Sequence, residues 1–576
     1  MSLAKLPRKI FSWINKRENL FLVVFFFIIF SVLLINTFHE EYPDEFDNIL
    51  GGWYITHGIP IYTGFFTHHG PVAYFIAALI TLLSGNSFVL FRVIFSLVIF
   101  VYLLWSYSYI KSRFGKERTY FYLIFIALIS LAGNYYWFHM LLADTLSAYF
   151  FAPVITLLLL VTISKTPLIK KDIIIISILT AFSVLSSLTF IYFSIIVYAY
   201  ALYWYLQSNS LKIFSRKVGV VILIFAAPYL LFLTYLLVTF SLQEYIYQGW
   251  IFNQRYYVYN YPRPEGSLSI NPVRFAIVIA HNFYNSYFTL LEQVKTFNLN
   301  FPLNITFAVG TLGTIFYLLI RRQFLFAIIF TGLLIYANAR SDPLNSKETD
   351  YQAAVYIMMA LVSTPFLLLE LYRDLNNEQK IGRNLIYGVI FLTVSIYSLF
   401  STMFLFQKFF NRTYDKYMGK APLIYDRPII APVINRLIAV NEPVWVGPFE
   451  FKELFYIHGR PASKYHIFIP GMGYSPEIRS AFIEELEKSK PSIIYFQKNF
   501  FILGRSPEMY GQFFLDYLQK HYVTLQQLNE NERRYISLVP VTDKIDLETR
   551  LYIRKEKLSS VLEKLIANQF VASVNN

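Results

Sequence analysis

The sequence predicts a polytopic α-helical membrane protein that ends in a small α/β domain. Hydrophobic residues make up 56% of the 576 positions and charged residues 15%, with a mean hydropathy of +0.46, which is outside the range of a soluble domain. Apolar runs of roughly twenty residues, the length a helix needs to cross a bilayer, recur between Asn19 and Phe406, separated by short basic turns. After Phe406 the character changes, and from residue 441 short apolar runs alternate with amphipathic stretches.

The formal net charge is +14, but the cations concentrate in short segments between apolar runs, where the positive-inside rule places them in the cytoplasm. No nucleic-acid partner follows from that charge. There are no cysteines, so disulfides and thiolate metal sites are excluded. The first apolar run, 19–38, is longer than a signal-peptide core and has no small-residue cleavage site, so it reads as an uncleaved first span. Lys5, Arg8, Lys9, Lys16 and Arg17 precede it and put the N-terminus in the cytoplasm, which sends 39–70 to the external face.

The next apolar stretch breaks at Gly85-Asn86 into 71–84 and 88–110, and ends at the basic cluster KSRFGKER, 111–118. That cluster is cytoplasmic only if one piece does not cross. The first piece reaches about 21 Å as a helix against a hydrocarbon core of about 30 Å, so it is predicted to lie in the interface as a juxtamembrane helix. Further spans are predicted near 119–136, 145–164, 173–188, 189–206, 218–240, 303–320, 323–338, 351–370 and 384–406. With 19–38 and 88–110 they make eleven, and place the C-terminus outside.

Residues 241–302 are too polar and Pro-rich for lipid and read as a second external segment; their many tyrosines suit the membrane interface. Domain boundaries follow: a transmembrane domain over 1–406, a polar connector over 407–440, and an extracytoplasmic α/β domain with an open sheet over 441–576. Strands are predicted at 443–449, 465–470, 492–496 and 535–539, and helices at 475–488 and 508–520. The chain has no glycine-rich phosphate loop and no GxSxG motif, which argues against an ATPase, a kinase or a serine hydrolase.

The stretch HEEYPDEFDNILGGWYITHGIPIYTGFFTHHGP, 39–71, contains Glu40, Glu41, Asp44, Glu45 and Asp47, four histidines, and no Lys or Arg. Topology accounts for the missing cations. It does not account for five carboxylates beside apolar helices, which need water, a cation or hydrogen-bond donors. The pair Asp44-Glu45 shortly after the first span, followed by THHGPVAYF at 67–75, resembles the C-type (GT-C) superfamily of membrane glycosyltransferases. That superfamily includes protein O-mannosyltransferases and lipid A aminoarabinose transferases. Its members place an acidic motif in the first external loop and a Lys-Pro-Pro-Leu-like motif before a juxtamembrane helix. Here HHGPV occupies the second motif, so His68 or His69 stands in place of the lysine. A further carboxylate often opens the inward span after the second external loop in that family, and Asp144 in FHMLLADTLSAYF, 138–150, matches it; a helix N-cap is the alternative role for this residue.

The resemblance implies an enzyme that moves a monosaccharide from a polyprenyl-phosphate carrier to a lipid, glycan or protein acceptor on the external face of the plasma (inner) membrane. Such a reaction needs a carboxylate to accept the acceptor's proton and positive charge for the departing phosphate. On this reading Asp44 is the base, and Glu45 or Asp144 orients the acceptor or holds a divalent cation. Arg255 and Arg340 are candidates for the phosphate, and Asp47 is a solvated loop residue. Adjacent histidines on an extended chain point to opposite sides, which disfavours a shared metal at His68-His69. Two other function classes compete: an O-antigen polymerase or ligase using lipid-linked oligosaccharide, and a transporter or flippase with ionisable groups near the bilayer midplane.

Overall fold

The computed structural model describes residues 18–207, 214–257, 302–337, 351–377, 381–420, 428–529 and 546–564, together with positions 273, 277, 280, 281, 284 and 424. The chain divides into two units: Met1–Glu41, Phe88–Pro228 and Ile279–Tyr425 form the first, and Tyr42–Ser87, Tyr229–Val278 and Asp426–Asn576 the second.

Among the described residues, seven helices are long and apolar enough to cross a membrane: Glu18–Thr37, Phe88–Phe114, Ala143–Ser164, Leu188–Leu206, Val218–Val238, Tyr351–Asn376 and Asn384–Tyr417. Their surfaces show what surrounds them. Leu20, Val23, Val24, Phe27 and Ile28 are exposed along one stripe of the first helix, while Phe26, Ile29 and Leu33 on the other side are buried. Leu385, Val389, Leu392, Ile396, Leu399, Met403, Phe406 and Phe410 repeat the pattern at helical spacing on the last one. Stripes of bare apolar side chains this long are unfavourable in water and are satisfied by lipid. Ala143–Ser164 is instead buried almost all round, as expected for a helix inside a bundle. The protein is an integral membrane protein.

The other four predicted spans are also helical, as Lys116–Leu131, Lys170–Ser186, Pro302–Ile320 and Phe324–Ala337, but none of them is among the seven. The last span continues past its predicted end at 406 as one helix, Ile381–Tyr417, so the first part of the expected connector is helical.

The basic turns of the first unit gather at one end of it. Arg113 pairs with Asp172 at 3.0 Å, Lys111 and Lys116 both reach Glu18, Arg373 donates to the Glu117 carbonyl, and Arg321 faces Asp374 at 3.7 Å. Turns separated by hundreds of residues therefore share a face, as the positive-inside reading requires.

In the second unit, part of the predicted loop 39–71 is a helix, Pro43–Thr56. The reason is local: Pro43 occupies N1, Asp44 and Glu45 lie in the first turn where the helix dipole favours anions, and Phe46, Ile49, Leu50 and Tyr54 form a buried apolar face. The predicted juxtamembrane piece is a helix, Val72–Ser84, of 13 residues, and it exposes Leu79, Leu82 and Leu83. Gly51 and Gly52 let the two helices close together: a Cβ on Gly51 would lie 2.3 Å from the Tyr74 ring, and one on Gly52 2.5 Å from the Ala77 Cβ.

The sheet has five strands in the order β2-β1-β3-β5-β4, with β1 Pro443–Gly447, β2 Arg460–Pro461, β3 Ile493–Phe496, β4 Tyr522–Thr524 and β5 Leu551–Arg554. β1 runs parallel to β2 and β3, and β5 is antiparallel to β3 and β4. Predicted strands 443–449 and 492–496 match β1 and β3. The stretch 465–470 is not a strand: Tyr465 to Ile469 are buried on both sides and the segment is held by single bonds such as Phe468 N to Pro448 O at 2.9 Å. The predicted strand 535–539 lies outside the described residues. Helix 475–488 is Pro476–Ser489, and 508–520 is broken at Gly511 into Pro507–Tyr510 and Gln512–His521. Trp445, Phe468, Phe482, Phe496 and Phe514 form the aromatic core on the sheet.

Candidate functional site

The helix Pro43–Thr56 arranges the acidic motif by depth. Asp44 is half-buried in its first turn, Glu45 is fully buried, and Asp47 is 8% exposed. Asp44 and Asp47 are three residues apart and so lie on neighbouring positions of one helix face. Asp47 is therefore not a solvated loop residue. Its Oδ2 accepts the Tyr74 hydroxyl at 2.6 Å and its Oδ1 meets His466 Nε2 at 3.0 Å. Tyr74 also contacts Thr67 Oγ1 at 2.7 Å, and the His466 ring packs edge-on against Tyr54, Phe65 and Phe451. Burial, and secondarily the Asp47 charge, push the Tyr54 hydroxyl well above its usual range. With both oxygens engaged, Asp47 is suited to positioning; Asp44, one turn away and partly open to solvent, is suited to exchanging a proton. Nothing local in the sequence joins Asp47 to His466, 419 positions away.

The histidine motif is held by residues of the Tyr247–Tyr257 stretch. Thr67 N donates to Gln248 Oε1 at 2.9 Å, Gln248 Nε2 donates to Tyr62 O at 2.8 Å, and Asn253 Nδ2 donates to His68 O at 3.1 Å. Gln248 and Asn253 belong to a π-helical stretch, Tyr247–Tyr257, a conformation found often at functional positions. His68 and His69 are half-buried, with ring centroids 4.1 Å apart, and the His68 ring also lies tilted against Tyr257 at 4.4 Å. The expected alternation of the two rings fails because the chain bends at both residues instead of running extended. Arg255 is exposed on the same π-helical stretch, and Arg340 lies outside the described residues. Among the described residues, no three His, Asp or Glu side chains converge as a metal site would need.

In the first unit, Asp144 is fully buried in the first turn of Ala143–Ser164, whose N-cap is Leu142, so Asp144 is not the cap. The same unit contains a cationic cluster that sequence reading missed. Arg92 is completely buried and donates to the carbonyls of Thr37, His39 and Glu40, which fixes the chain as it leaves the first span. Arg412 donates to Asn134 O and faces Glu40 at 3.8 Å, and Lys416 lies one turn further along the same helix. Burial first, then the charges of Lys416, Arg412 and Arg92, lower His39 to about 3, and burial with Arg92 lowers His139 well below its usual value. Both rings are neutral at physiological pH. The one available signal was the spacing of Arg412 and Lys416, four residues apart beyond the last apolar run.

No protein-family model matches the chain, and no curated protein matches it. The functional reading therefore rests on the residues themselves.

Proposed function

We propose that the protein is a glycosyltransferase of C-type architecture that moves a monosaccharide from a polyprenyl-phosphate carrier to an acceptor at the external membrane face. The observation that carries this reading is the placement of Asp44, half-buried in the first turn of a helix that begins six residues after the first span, with Glu45 and Asp47 buried beside it. In this reading all eleven predicted helices cross the bilayer and the sheet domain is extracytoplasmic. An acceptor hydroxyl gives its proton to Asp44 while its oxygen bonds to the anomeric carbon. The bond from that carbon to the phosphate oxygen breaks, and the lipid phosphate leaves with the electron pair. Glu45 or Asp144 orients the acceptor. The departing phosphate is assigned to arginine, with Arg255 and Arg340 as the candidates. Asp144 remains the second candidate carboxylate.

The test is turnover of purified protein in nanodiscs with a panel of polyprenyl-phosphate monosaccharides beside nucleotide-sugar controls. Asp44→Asn should lower transfer by about 10²–10⁴-fold while leaving donor binding intact. Turnover with a nucleotide-sugar alone would refute the reading. Ion-coupled uptake into proteoliposomes without glycosyl transfer would replace it with transport.

A further inference from the structure

The charged end of the first unit contains an open crevice of about 580 Å³ that has no part in the proposed transfer. Lys165 and Arg322 line it, together with Tyr203, Trp204, Phe324 and Leu325. Among the described residues neither Lys165 nor Arg322 has an ion-pair partner. Both hold left-handed backbone, with φ of 51° and 57°, where a helix end ordinarily carries glycine, so the chain keeps a long cation at two positions that disfavour one. The surrounding turns, 111–118, 165–172 and 321–322, add positive charge on the same end.

One wall of the crevice continues into an apolar track. Phe324 and Leu325 are 57% and 47% exposed on its rim, and Ile328, one turn further along the Phe324–Ala337 helix, is 69% exposed. Trp204 donates its ring N–H to Thr166 O at 2.8 Å and stacks on Tyr200, while Tyr203 stays exposed, the amphipathic arrangement that aromatic side chains adopt at headgroup level. A free anion explains the two cations but not the apolar track. A lipid with a phosphate headgroup uses both.

We propose that this crevice binds the phosphate headgroup of an anionic phospholipid, with Lys165 and Arg322 on the phosphate and an acyl chain along Phe324, Leu325 and Ile328. The inference does not depend on the glycosyltransferase reading, and its test reads binding alone.

The experiment uses full-length protein in nanodiscs of equal parts phosphatidylglycerol and phosphatidylcholine, with retained lipid counted by native mass spectrometry. Wild type should retain phosphatidylglycerol in preference. The double variant Lys165→Asn, Arg322→Asn, chosen because Asn tolerates the left-handed backbone, should lose that preference by about tenfold, and Arg322→Lys should keep most of it. A photoreactive phosphatidylglycerol headgroup, crosslinked to wild type, should label peptides containing residues 165–167, 203–204 and 322–325, which tests the site without any substitution. Equal retention of the two lipids, an unchanged preference in a folded double variant, or labelling elsewhere would overturn the proposal. So would equal thermal stabilisation by inorganic phosphate and by short-chain phosphatidylglycerol, which would mean a free-anion site.

Discussion

Replacing Asp47 tests whether its carboxylate holds the second unit together. Asp47→Ala removes the acceptor for both the Tyr74 hydroxyl and His466 Nε2, in a place where Asp47 is 8% and His466 2% exposed. Two donors left without that acceptor cost about 1–3 kcal/mol each, reduced where Tyr74 turns fully to Thr67, which is already 2.7 Å away. The expected loss is therefore about 2–4 kcal/mol. Asp47→Asn should be milder, about 1–2 kcal/mol, because the Tyr74 hydroxyl can accept from the new amide while donating to Thr67, and only the charge assistance is lost. His466→Ala should cost about 2–4 kcal/mol by removing a buried ring and its bond. In a double-mutant cycle, Asp47→Ala and His466→Ala should couple by about 1–3 kcal/mol. The assay is the unfolding midpoint in nanodiscs, read together with protease cleavage of the sheet domain. An Asp47→Ala protein within about 0.5 kcal/mol of wild type, with no coupling to His466, would return Asp47 to the role of a solvated loop residue and refute the argument.

Gly52→Ala should destabilise by about 1–3 kcal/mol, because its Cβ would meet the Ala77 Cβ at 2.5 Å and backbone atoms at 2.6 Å. Gly388→Ala, where nothing lies within 4 Å, should be neutral or slightly stabilising, and thermal midpoints of the two variants would separate these cases. Glu450 gives a pH prediction: burial, then Glu453, raises its carboxyl from 4.5 to about 7, against the opposing charge of Arg550. A folded value above the unfolded one makes its contribution full below about pH 4.5 and lost as the pH rises through about 7, by up to about 3 kcal/mol. Wild type and Glu450→Gln should therefore have similar denaturation midpoints at pH 5, with the variant the more stable at pH 8; parallel midpoints across that range would contradict it.

Much of the fold was legible in the sequence because the signals are local. Apolar length and the spacing of basic turns found every described transmembrane-type helix, and the break at Gly85-Asn86 marked Val72–Ser84 as a short helix separate from Phe88–Phe114. Runs such as PVWVG and SIIYF announced β1 and β3 through β-branched and aromatic content. Pro43 with Asp44 and Glu45 was also a helix start, legible in the same way though read as loop, since acidic residues suit a solvated turn and a first helical turn equally.

The candidate site divides along the same line. Sequence alone determined which residues are acidic, how soon they follow the first span, and that Asp44 and Glu45 stand together. Only the tertiary structure decided which carboxylates are buried and what they meet. Asp47 is held by Tyr74 and by a histidine 419 positions away, the two histidine rings lie side by side because the chain bends beneath them, and Arg92, Arg412 and Lys416 surround His39 although three separate segments supply these residues. Hydropathy and charge act over one helix turn or one span and can be read along the chain. Desolvation and hydrogen bonding act through space, so their partners exist only once distant segments have packed.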